Sequence, residues 1–162
     1  TPIGVGLIES AYNLSKIIAE QKPKQILFVG SCGSYGRLNI FDTFFSGSAM
    51  QIEQSYIHKN SYTPIENKII NDVSHETIVN SSNYITTDKK SSDIFLEMGL
   101  DGENMEFYSV LWAAQRAEIE AKGFFVVTNY CNADGGAKYK NNLTEATRII
   151  YDRYEKELKK YE

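Results

Sequence analysis

The chain has 162 residues, 42% hydrophobic and 23% charged, which suits one folded domain with a true core and excludes a disordered polymer. Its net charge of −4 comes without a basic block, so a nucleic-acid surface is excluded and small molecules or proteins remain as partners. No apolar run approaches the roughly 18 residues of a membrane span, and TPIGVGLIES lacks a signal peptide's charged-then-apolar order. The cytoplasm is the expected location.

In chain order, Leu7, Ile8, Ala11, Leu14, Ile17 and Ile18 recur at three- and four-residue spacing, which predicts a helix over 7–21 with one apolar face. Pro23 ends it, and 25–30 reads as a buried strand. Gly30, Gly33 and Gly36, set among Ser31, Cys32 and Ser34, then predict a tight loop. Its bare main-chain amides and hydroxyls suit an anion or a sugar, although a turn that is merely glycine-rich fits the same residues.

Strand-forming Ile40, Phe41, Phe44 and Phe45 mark 38–47, and 51–57 also reads as a strand before the turn-rich stretch around Pro64. A further strand is expected over 77–85, then a surface loop and a short helix over 93–98. The longest predicted helix covers 105–121, and the continuous apolar run 124–128 reads as a strand of a covered sheet. A loop and an amphipathic helix over 143–160 complete a single domain spanning 1–162. Helices alternating with apolar strands predict an α/β sandwich with a mainly parallel or mixed sheet.

Cys32 and Cys131 each follow an apolar run and read as reduced, buried thiols. His58 and His75 have no partners at ligand spacing, so no metal is expected.

Ligands of α/β sheets sit beyond the carboxyl ends of the strands, which groups 30–36, 86–88 and 128–134 with Asn104, Met105 and Glu106. Glu106 can hold a pair of sugar hydroxyls or simply favour a helix dipole. Asn129 can meet the edge of a heterocyclic base or close a turn, and Met105 can be core.

Together VGSCGSYG at 29–36, NME at 104–106 and FFVVTN at 124–129 resemble the purine nucleoside phosphorylase and nucleosidase superfamily, most of all the phosphate loop of the bacterial hexameric phosphorylases. Met105 and Asn129 are 24 positions apart, the separation the resemblance implies for the ribose-binding methionine and the base-contacting acid or amide. The fold implied is a three-layer α/β/α sandwich with a central mixed sheet. The family's amino-terminal strand and glycine-rich phosphate loop would precede Thr1. Carried onto this chain, the resemblance implies that Gly30 and Ser31 bind phosphate, Met105 packs under the ribose and Glu106 binds its 2′ and 3′ hydroxyls. Thr128 precedes the catalytic position, Asn129, as in the 6-oxopurine-specific enzymes. The activity implied is phosphorolysis of an inosine- or guanosine-like nucleoside, with phosphate as co-substrate, no other cofactor, and a homo-oligomeric enzyme. The alternatives are a nucleoside hydrolase of the same superfamily and a non-catalytic nucleoside-binding homologue. Where hexameric phosphorylases carry an arginine, this chain has Phe28, and its arginines number four.

Overall fold

In the computed structural model, which describes residues 1–71 and 76–158, helix α1 spans Leu7–Gln21, as its apolar spacing predicts. Lys22 closes it in the left-handed conformation, donating its N–H to Ile18 O (3.0 Å), and Pro23 prevents continuation.

Strand β1 (Gln25–Ser34) does not stop at Gly30; the predicted glycine loop is its second half. The physical reason is a long partner. β7 (Glu120–Tyr130) pairs with β1 in parallel from Gln25 to Ser34, with one register shift between Cys32 and Gly33. On its opposite edge β1 meets β6 (Gly102–Glu103) only at Gly33 and Ser34. The remaining strands are β2 (Thr43–Ser46), β3 (Ser48–Met50), β4 (Lys68–Ile69) and β5 (Ile78–Asn80). They give a mixed sheet in the order β2-β7-β1-β6-β5-β3-β4, with β1/β7, β3/β5 and β5/β6 parallel.

Because successive strand residues face opposite sides, the sheet has two apolar faces. On one, Leu14 of α1 and Val110 and Leu111 of α4 (Phe107–Arg116) pack with Val79 and Phe125. On the other, Phe124 and Val126 meet Ala146 of α5 (Gly135–Arg153). Ile78 and Met50 on that side pack with Phe95 of α3 (Lys89–Glu97) and Ile57 of α2 (Gln54–Ile57). This is the expected three-layer α/β/α sandwich.

Several boundaries differ from expectation. The strand predicted over 51–57 is β3 followed by the short helix α2, and the strand predicted over 77–85 shrinks to β5. α3 starts before residue 93 because Asp88 accepts the Ser91 N–H at 2.8 Å and caps it. α4 ends at Arg116, short of 121, as Glu118 turns left-handed (φ +57°) and β7 begins at Glu120. α5 begins at Gly135, well before 143, and its predicted end at 160 lies outside the described residues, as does His75. Cys32 and Cys131 are free and buried. Among the described residues, no helix is long and apolar enough to cross a membrane, and no cluster of three His, Cys, Asp or Glu is placed to hold a metal ion.

Candidate active site

A cavity of about 1090 Å³ runs along the open edge of β1 and reaches residues at the ends of β1, β6 and β7. Gly30, Ser31, Met105, Glu106, Thr128 and Asn129 all line it, so three distant stretches of chain meet as the sequence predicts. The segment 86–88 is used otherwise: Thr86 N–H donates to Glu103 Oε1 (3.0 Å), and Asp88 caps α3.

Asn104 assembles the centre. Its Oδ1 accepts the N–H groups of Glu106 and Phe107, both at 2.9 Å, capping α4, while its Nδ2 donates to Ser31 O at 3.0 Å. The side chain thereby locks the start of α4 to the wall of the cavity. Met105 and Glu106 are held at the cavity wall by that cap.

Glu106 Oε1 accepts the Gly6 N–H at 2.9 Å, tying the start of α1 to α4. Burial holds its carboxyl above the ordinary range despite this bond. Met105 lines the cavity rather than the core. Asn129 Oδ1 accepts from Thr128 Oγ1 (2.9 Å), and its Nδ2 donates to Tyr130 O (3.1 Å). An amide has two N–H groups and two lone pairs, so one of each remains for a ligand.

Phe28 does not leave a gap where the resemblance places arginine. Its ring lies 5.8 Å from Phe107 and 5.7 Å from Phe125, centroid to centroid, and lines the cavity below Gly30. The four arginines are engaged elsewhere: Arg37 with Asp101, Arg116 over the Trp112 ring at 4.0 Å, Arg148 with Glu145 and Asp152, and Arg153 with Thr43 Oγ1. Among the described residues, no Lys, Arg or His lines the cavity.

The structure adds residues that spacing did not reveal. Tyr84 and Tyr139 bring aromatic rings to the cavity, Tyr84 from the segment just before Thr86. Glu103 of β6 also lines it, and its Oε2 accepts from Tyr35 Oη at 3.0 Å. A two-residue strand carries no periodicity by which the sequence could announce that carboxyl. Burial raises the Glu103 carboxyl, opposed by the Thr86 and Tyr35 hydrogen bonds. Burial, with the Glu103 charge second, also pushes the Cys32 and Cys131 thiols up.

No protein-family model and no curated protein sequence matches the chain. Solved structures do. A mutant of Helicobacter pylori MTAN with 5′-methylthioadenosine in its active site superposes with a TM-score of 0.76 at 15% identity, over 91% of this chain and 73% of that one. Native futalosine hydrolase of Helicobacter pylori gives 0.78 at 15% identity, covering 91% and 72%. The S-adenosylhomocysteine nucleosidase of Streptococcus pyogenes gives 0.72 at 13%, covering 91% and 74%. The fold is shared with these nucleosidases and this hydrolase. These neighbours are nucleosidases and a hydrolase by name, where the resemblance read from the sequence pointed first to the bacterial phosphorylases.

Proposed function

We propose that the chain cleaves the N-glycosidic bond of a purine nucleoside by hydrolysis. The observation that carries this reading is a cavity lined by Met105, Glu106 and Asn129 on a fold shared with solved nucleosidases. Phosphorolysis, the first expectation from the sequence, requires a site that holds an inorganic dianion. Here Phe28, packed on Phe107 and Phe125, stands where the resemblance places a charge. Water needs no such support.

In this reading Met105 packs against the ribose and Glu106 accepts from its hydroxyls. Gly30, Ser31 and Thr128 shape the wall beside the reacting carbon, and Asn129 offers its remaining N–H and lone pair to the base, a pairing that suits a 6-oxopurine. As the glycosidic bond breaks, charge passes to the base, and the Asn129 amide stabilises it. The neighbours named for 5′-methylthioadenosine and S-adenosylhomocysteine extend the substrate panel to adenine nucleosides. Self-association belongs to the same proposal: Val5, Ile8 and Tyr12 near α1 and Tyr84 and Ile85 at the cavity are exposed apolar groups for a second copy to cover, which sedimentation would reveal as a dimer or larger species.

Incubation with inosine, adenosine and 5′-methylthioadenosine, each with and without phosphate, tests the reaction. Free base at equal rates in both conditions is the expected result. Release that depends on phosphate returns the assignment to phosphorolysis, and saturable binding without release makes the chain a non-catalytic homologue.

A further inference from the structure

We propose that Glu103 is the acid that protonates the departing purine. The assignment rests on the hydrolytic reading above and supplies what that reading lacks, because an amide at Asn129 stabilises charge but has no carboxyl proton to give.

The geometry is local and specific. Glu103 and Asn129 both line the cavity, and both face Gly33 at its floor. A Cβ added to Gly33 would lie 3.2 Å from Asn129 Nδ2 and 3.4 Å from Glu103 Cγ, so the Asn129 amide and the Glu103 side chain flank one point of the floor. Glu103 is also held in place from behind. Tyr35, 1% exposed and stacked on Phe95 at 4.9 Å, donates to Oε2, and the Thr86 N–H donates to Oε1. Asn80 Nδ2 in turn donates to Tyr35 Oη at 3.3 Å. The side chain therefore costs little reorganisation when it acts.

The groups that face Glu103 are Tyr35, Cys131 and Cys32, all favouring their neutral forms through burial. Asp101 nearby is paired with Arg37, and Glu106 shares a cavity whose described lining has no cationic side chain. This environment keeps Glu103 protonated to higher pH than an ordinary carboxyl, as a proton donor requires. In the step itself the Glu103 O–H proton passes to a ring nitrogen of the base as the C1′–N9 bond breaks with its electron pair on the base. Water oxygen bonds to C1′, and the proton it releases restores Glu103. The sum is nucleoside plus water to base plus ribose.

The test is the pH profile of kcat and KM with the best nucleoside of the panel, for the wild type, Glu103→Gln and Tyr35→Phe. The expected result for Glu103→Gln is a kcat about 100-fold lower, with KM within about threefold of wild type and the alkaline limb lost. Tyr35→Phe removes a hydrogen bond that holds the Glu103 carboxyl down, so the alkaline limb of kcat moves to higher pH. A Glu103→Gln enzyme with wild-type kcat and limb, or a Tyr35→Phe limb that stays in place, overturns the Glu103 assignment while leaving hydrolysis standing. Failure of the wild-type chain to release base from any nucleoside overturns the parent reading, and this assignment falls with it.

Discussion

At Asn104 one side chain joins three segments, capping α4 through two N–H groups and gripping β1 at Ser31 O. Its replacement by Ala leaves those partners unmet, and we expect a loss of about 1–2 kcal/mol in urea unfolding together with a raised KM, since Met105 and Glu106 stand on the same cap. Asn129→Ala should lower kcat roughly 10- to 100-fold with a smaller change in KM; undiminished turnover removes Asn129 from the chemistry. Glu103 also governs stability. Burial raises its folded-state value above the ordinary 4.5, so its stabilising contribution is complete below that pH and fades as pH rises through the raised value. In Glu103→Gln the fading is absent. The difference in Tm, variant minus wild type, should therefore grow between about pH 4 and pH 7 in a thermal-melt series, and a difference that shrinks over that range contradicts the shift.

Among the elements, the β1–β7 pair sets the tolerance of the site. At Gly33, where the register shifts, an added Cβ would meet Cys131 Sγ at 2.9 Å. Gly33→Ala should destabilise by about 1–3 kcal/mol and lower kcat, because Asn129 and Glu103 must also yield; wild-type values for both show a floor looser than its geometry. The same pair explains how much was legible beforehand. α1 could be read to the residue because its helix is decided by its own apolar spacing and by Pro23. The core of β7 announced itself as FFVVT. The extension of β1 over Gly30–Ser34 did not, since glycine and serine carry little strand preference and only pairing along β7 fixes them. The start of β7 was hidden likewise, because residues 117–122 are good helix formers overridden by the turn at Glu118. Of the site, the positions with ordered motifs (Ser31, Met105, Glu106 and Asn129) were visible and do converge, whereas Glu103 and the aromatic rings of Tyr84 and Tyr139 come together only in three dimensions.

For the whole molecule, three layers of helix and sheet bring residues about a hundred positions apart into one cavity whose described lining carries carboxyls, amides and rings but no cationic side chain. For the proposed reaction, that electrostatic character sorts nucleosides from their phosphates. A nucleoside 5′-phosphate entering here sheds water and meets no cationic side chain of the described lining in exchange. Inosine 5′-monophosphate should compete at least about tenfold more weakly than inosine, a difference of about 1.4 kcal/mol, and equal competition would reveal an unseen anion site. Under the proposed function, a lining without a described cationic side chain discriminates against nucleotides with no dedicated device to reject them.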